Sequence, residues 1–340
     1  MTDVLRTYTY GLAALLLTLV LLQQGAGVLI PLAIATVIWF IIDALAGVFE
    51  RFGWPRWIRT LLSTVIILIS VVATVTLVTD NIAGVIDELP VYQQNIDQVL
   101  ANLQAALPLD DPITLPGLLA SQDVQSFLQK VAGALASFIG NLGLVLAYVL
   151  FLFFSQQSFD SRLEKALPEA GRLHQTRHLL GRIQKQIRTY LWAKTLMSLL
   201  TAIVCGAVLL LVGVKYPMFW AFWIFLLNFV PYLGSALGVI LPALLTLVQF
   251  DSPVPFIVVL ISLTVIQVTI DNVVEPRYMG RTLNVDPLVV MIALVLWGTL
   301  WGMAGMFLAI PLTAIVIIVL AQVPGTRWLA VLMSQDGEVR

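Results

Sequence analysis

Along this chain, long runs without a single charge alternate with short charged segments. The uncharged runs are Thr7–Ile42, Thr60–Thr79, Val131–Phe159, Thr195–Val214, Tyr216–Phe250, Ser252–Ile270 and Pro287–Thr326. A membrane-spanning helix takes roughly 20 consecutive apolar residues, and all seven runs reach about that length. Three of them are about twice as long as one crossing needs, and each of these contains a break. Gln24-Gly25-Ala26-Gly27 with Pro31 divides the first into two expected spans. Pro231-Tyr232-Leu233-Gly234 interrupts the fifth, and Gly298, Gly302 and Gly305 interrupt the last. Proline removes a helical hydrogen bond and glycine accepts a tight turn, so these are places where a helix should stop or fold back.

Between the runs, apolar residues recur at helical spacing. Tyr92, Ile96, Val99, Leu103 and Leu107 form one stripe; after Pro108, Pro112 and Pro116, a second runs through Val124, Leu128, Val131, Leu135 and Phe138. Such stripes suit packing on another helix, of the same subunit or of a second one. Leu180, Ile183, Ile187 and Leu191 mark one face of a further helix, with Arg172, Arg177, Arg182, Lys185 and Arg188 around it. That combination fits a basic amphipathic helix on anionic lipid.

Composition fixes the class. The chain is 60% hydrophobic and 11% charged, with a mean hydropathy of +0.97, whereas soluble domains carry about 25% charged residues. The expected fold is all-α: a polytopic helical membrane protein of about eight transmembrane segments. Two of these are expected as broken or re-entrant hairpins, and a helical insertion lies outside the membrane. The N-terminus does not read as a signal peptide, because hydrophobic segments follow at once and no small-residue cleavage site stands out.

The distribution of charge orients the chain. Three arginines lie between Arg51 and Arg59, seven acids and one lysine between Asp80 and Lys130, and eight basic residues against two acids between Arg162 and Lys194. The positive-inside rule places the first and third segments in the cytoplasm and the acidic one outside. If Tyr216–Phe250 crossed once, Arg277 and Arg281 would face outside, against the rule. A hairpin there makes the following loop cytoplasmic, and a second over Pro287–Thr326 returns Arg327 and Arg340 to the same side; simple, partly tilted crossings are the alternative. The second arms of the two hairpins, LGSALGVILPALLTL and WGMAGMFLAIPLTAI, resemble each other weakly. By this count they enter from opposite sides, as in transporters built from inverted repeats with broken helices. The expected organisation is N-terminal spans over 1–83, an extracytoplasmic acidic segment over 84–130, and a span over 131–159. A cytoplasmic basic segment follows over 160–194, then a transport core over 195–326 and a cytoplasmic tail over 327–340.

Ionisable groups inside a span mark a pathway by default. Gln267, Asp271 and Glu275, with Thr264, line one helical stripe. The bland reading sets Asp271 and Glu275 at headgroup level, with Glu275 paired to Arg277 or Arg281 and the span ending before Pro276. Asn228, three residues before Pro231, is the first candidate for a substrate hydrogen bond, against an ordinary interhelical one worth ~1 kcal/mol. The tip Pro231–Ser235, with Gly234, joins it in the candidate site, as do Gly298, Gly302 and Gly305, although close packing accounts for glycines at such spacing. Lys194, at the start of a span, is a gating candidate with Glu275, Arg277 and Arg281, or else snorkels to the interface. His174 and His178 share a face without an acid or cysteine ligand, and Cys205 is alone, so no metal or cofactor is expected. No serine-protease elbow and no P-loop is present, and the chain is not read as an enzyme.

Four segments carry a family resemblance: Tyr190-Leu191 followed by KTLMSLLT, FLLNFVPYLGS, NVVEPRYMGRTLNVDPLVV and WGTLWGMAGMFLAIPLTAI. With them the chain resembles the autoinducer-2 exporter family of bacterial multi-pass membrane proteins, best from about Leu163 to Pro324. The KTLMSLLT form of Lys194–Thr201 resembles the branch of the exporter itself, and Ala193-Lys194 stands where other relatives usually have Gly-Gln. The resemblance implies efflux of a small polar signal molecule across the inner membrane by a homo-oligomer, for which a pentamer is one form; the charge count above puts both termini in the cytoplasm. The family also includes members credited with sodium or lithium/proton antiport, so an antiporter using Asp271 or Glu275 stays open beside the exporter. A non-transporting scaffold is the third reading.

Overall fold

The computed structural model describes residues 2–74, 76, 81, 121–250, 252–279, 284–323 and 325–337. The stripe Tyr92–Leu107, most of the acidic segment, Gly280, Arg281 and Arg340 lie outside these residues. Among the described residues every regular element is helical. The elements are α1 (Thr2–Gln24), α2 (Ala26–Val48), α3 (Arg56–Thr74), α4 (Ser121–Ala166), α5 (Ala170–Val212), α6 (Pro217–Leu227), α7 (Leu233–Gln249), α8 (Val254–Thr269), α9 (Glu275–Met279), α10 (Pro287–Gln322) and α11 (Arg327–Met333). Among the described residues, five helices are long and apolar enough to cross a membrane: Ala26–Phe52, Arg56–Thr74, Ala170–Val212, Val254–Tyr278 and Pro287–Gln322. The bent pair Gly140–Gln156 and Ser158–Ala166 would make a sixth, and Thr9–Gln24, Pro217–Leu227 and Leu233–Gln249 are shorter apolar helices. The protein is an all-α, polytopic membrane protein.

The chain forms two compact units, one of residues 1–56, 142–192 and 281–340, the other of 57–141 and 193–280. In the first unit the expected break near Gly25 is a kink rather than a loop. The Gly25 N–H donates to Leu21 O at 2.8 Å and the Leu29 N–H to Gly25 O at 2.9 Å, so helical hydrogen bonding continues through it. At the C-terminal end of α2, Arg188 bonds Asp43 twice, to the carboxylate at 2.9 Å and to the backbone carbonyl at 3.2 Å.

α10 has 36 residues; as a straight helix it would run ~54 Å, far more than the ~30 Å of hydrocarbon. It does not run straight. Gly302, at φ 60 and ψ −142, turns the chain back. Trp297 Nε1 then donates to Thr313 Oγ1 at 3.1 Å, Gly298 packs against Met306, and a Cβ added to Gly305 would stand 1.9 Å from Trp297 O. Trp301 Nε1 ties the tip to Leu22 O at 2.9 Å. The two ends of the hairpin return together: α11 follows its second arm, and the Asp286 N–H, at the start of the first, donates to Met333 O at 3.0 Å.

In the second unit α6 and α7 form the other hairpin. Their register is antiparallel, since Gly234 faces Leu227 and Gly238 faces Ile224. The outer ends also meet: Gln249 Nε2 donates to Gly213 O at 2.7 Å, and the Lys215 N–H donates to Gln249 Oε1 at 2.8 Å. A hairpin whose last residue is bonded to the segment just before its first arm enters and leaves on one side. The tip is tight. Tyr232 sits at φ 61 and ψ −57, and the Leu233 N–H donates to Pro231 O at 2.6 Å, which is the strained γ-turn of positive φ. Around the hairpin, Cys205, Leu209, Ile224, Val239, Ala243, Val259 and Leu263 form the apolar core that α5, α6, α7 and α8 share.

Candidate functional site

Within the second unit, three elements direct polar side chains at one another. On α5, Lys194, Ser198, Thr201 and Cys205 follow at intervals of four, three and four residues, share one face, and are all buried. The helix of α8 and α9 supplies Gln267, Asp271 and Glu275, and the α6–α7 tip supplies Asn228 and Ser235.

Lys194 Nζ donates to both oxygens of Glu275, each at 2.9 Å, with side-chain exposures of only 7% and 18%. This corrects two expectations. Lys194 does not snorkel to the interface, and Glu275 does not pair with an arginine: Arg277 is exposed and has no ion-pair partner among the described residues, while Arg281 lies outside them. The reason is angular, because Arg277 is two residues on and points to the far side of the helix.

The span also fails to end before Pro276. Residues Ile270–Val274 form a π-helical turn, in which the Glu275 N–H donates to Ile270 O, and α9 continues from there. A proline ring strikes the carbonyl four residues back in a regular helix; the wider turn just before Pro276 gives that ring room. The extra residue also rotates α9 by ~100° relative to an uninterrupted α-helix. Turns of this kind recur at functional sites.

Asn228 is buried and Nδ2 donates to Ser198 Oγ at 3.3 Å, so the interhelical bond weighed against a substrate contact is present. Ser235 on the α6–α7 tip acts on the Asp271 carboxylate electrostatically, as do the charges of Lys194 and Glu275. The carboxylate oxygen Oδ1 is buried without a partner among the described residues. Gln267 is the most unusual member. It is 3% exposed, yet neither its amide nitrogen nor its oxygen is hydrogen-bonded among the described residues. Gly238 lies under it, and a Cβ there would come within 3.3 Å of Nε2.

The glycines have a different part. A Cβ on Gly234 would stand 1.7 Å from Leu227 O, so Gly234 lets two backbones touch, as Gly305 does in the other unit. Pro231 opens the turn. Gly298, Gly302 and Gly305 belong to the first unit and line the bend of α10. No group of three or more His, Cys, Asp or Glu among the described residues is placed to hold a metal.

The sequence reading missed the α5 stripe. It saw Lys194 at the start of a span, but Lys194, Ser198 and Thr201 stand at helical spacing and were legible as one polar face.

The sequence model describing AI-2E family transporters matches residues 12–325. The chain belongs to the AI-2E transporter family. Among its relatives, the AI-2 transport protein TqsA of Escherichia coli strain K12 is 29% identical over 335 residues, 95% of this chain and 94% of TqsA. YhhT of the same strain, provisionally named a transport protein, is 28% identical over 331 residues, 95% of this chain and 93% of its own length. A relative from Borreliella burgdorferi strain B31, also provisionally a transport protein, is 28% identical over 302 residues, 88% of this chain and 82% of its own. The likeness therefore extends well N-terminal to Leu163. In this AI-2E transporter the segments that carried the resemblance also build the cluster: KTLMSLLT gives Lys194, Ser198 and Thr201, FLLNFVPYLGS gives Asn228 and Ser235, and NVVEPRYMGR gives Glu275.

Proposed function

We propose that this AI-2E transporter is a secondary transporter or facilitator that exports a small polar metabolite, AI-2 by its likeness to TqsA, across a bacterial inner membrane. The observation that carries the reading is the buried Gln267 amide, whose donor and acceptor are both without a partner among the described residues, as is Asp271 Oδ1 one helical turn on. Leaving such groups unmade costs about 1–3 kcal/mol each, and a transient ligand that hydrogen-bonds to them offsets that cost. The Lys194 ammonium is already neutralised by Glu275, so the cluster suits a hydroxylated, uncharged ligand better than an anion. Asn228, Ser235 and the tip at Pro231 and Gly234 complete the proposed site. Lys194 and Glu275 act as its gate, and the segment carrying Arg277 and Arg281 as a cytoplasmic hinge. The bend at Gly298, Gly302 and Gly305 is proposed as a moving element of alternating access, with no covalent step. The charge distribution favours both termini in the cytoplasm, and a homo-oligomer is proposed as the working form.

The test is AI-2 flux in liposomes containing the purified chain. Gln267→Met removes no intramolecular hydrogen bond, so the variant should unfold at the wild-type temperature or above it. Its flux should fall by at least about tenfold, the equivalent of one lost hydrogen bond to substrate. Undiminished flux would remove Gln267 from the site. A second reading, a sodium or lithium/proton antiporter, is favoured by the Asp271 oxygen left without a partner. It requires proton movement on addition of sodium or lithium, abolished by Asp271→Asn. Neither flux from folded protein would favour the scaffold.

A further inference from the structure

The amphipathic part of α5 carries cations that the transport site does not use. Arg172 pairs with Glu169 at 2.9 Å, Arg177 pairs with Glu164, and Arg188 with Asp43. That consumes both acids of the 162–194 segment. Arg182 and Lys185, three residues apart, have no carboxylate partner among the described residues. Their side of the helix is opposite the stripe of Leu180, Ile183, Ile187 and Leu191, of which Ile187 and Leu191 are 3% and 2% exposed. Beside Lys185 a hollow of about 300 Å³ is lined by Gly181, Gln184, Lys185, Arg188 and Thr189. Gly181 floors it, for a Cβ there would meet nothing within 4 Å.

Its height relative to the bilayer follows from two elements of the same unit. Trp192, partly exposed, stands just before the uncharged run from Thr195, as an interfacial aromatic of a span would. Asp43, the ion-pair partner of Arg188, is the first charge after the uncharged run ending at Ile42. Both put Lys185 and Arg188 at the level of lipid phosphates. We propose that the hollow over Gly181 binds the headgroup phosphate of an anionic phospholipid of the phosphatidylglycerol class, held by the Lys185 ammonium and the Gln184 amide with Arg182 on its outer flank. Arg188 shapes the wall while committed to Asp43. The site is independent of the transport reading.

The full chain in nonionic detergent is titrated with dioctanoyl-phosphatidylglycerol while its thermal unfolding midpoint is followed, with dioctanoyl-phosphatidylcholine and inorganic phosphate as parallel arms. The wild type should be stabilised by phosphatidylglycerol alone. Lys185→Gln should bind it about fivefold more weakly, the effect of one cation near a lipid surface. Gly181→Leu fills the hollow with every charge intact and suits a helix better than glycine, so it should fold normally and lose the response. The double variant Arg162→Gln/Lys165→Gln, which removes the same kind of charge elsewhere, should keep it. An equal response to phosphatidylcholine or to phosphate overturns the proposal. So does an undiminished response in Gly181→Leu, an equal loss in the Arg162/Lys165 control, or no response of the wild type.

Discussion

Lys194 and Glu275 show how much one buried pair can hold. Their bidentate bond joins α5 to the turn before Pro276, and neither side chain reaches water freely. Removing one partner of a buried pair strands the other charge, at about 3–5 kcal/mol, whereas exchanging both for apolar groups is often neutral. Lys194→Met should therefore lower unfolding stability by that amount, and Lys194→Met/Glu275→Leu should recover most of it; equal losses in both would show that the pair is not the source. Sequence alone could name Lys194 and Glu275, but not join them. Local spacing offered Glu275 the nearby Arg277, and only the packing of α5 against a helix 81 positions on supplies the true partner. Asp271 and Gln267 were legible because polar groups are rare in such a run. That Gln267 is left without a bond is a fact of three-dimensional accounting, which no spacing reveals.

At the scale of elements, the two hairpins were foreseeable from Pro231, Gly234 and the glycines of 298–305, since breakers in an overlong apolar run have few other uses. The kink at Gly25 was not, because glycine in a helical run permits a bend, a loop or nothing, and the choice falls to the carbonyls around it. The tip of α6 and α7 makes two opposite demands on its residues. Gly234→Ala pushes a methyl into Leu227 O and should cost at least about 2 kcal/mol as the arms part. Tyr232→Gly should do the reverse. Glycine accepts the positive φ that tyrosine bears under strain, and a gain of about 1 kcal/mol in thermal or denaturant unfolding is expected. A loss there would mean that the half-exposed tyrosine ring contributes more than its backbone strains.

For the whole molecule, the strongest topological statement is that the α6–α7 hairpin begins and ends on the same side. With Cys205→Ser as background, Lys215→Cys and Ser252→Cys, which flank it, should both react with a membrane-impermeant thiol reagent added to the same face of sealed vesicles. Reaction from opposite faces would make the pair a crossing and reverse the side assigned to Arg277. The division into two units was not legible, because each is assembled from segments far apart in the chain. That assembly has a consequence for biosynthesis. α5 leaves the ribosome with Lys194 lacking its counter-charge until Glu275 has been made, 81 residues later. At 5–20 residues per second, that is a delay of roughly 4–16 s. During this interval the end of α5 has reason to stay at the wet edge of the insertion machinery. The second unit is thus committed to closing late, and a nascent chain cut short before Glu275 would present quality control with a naked lysine.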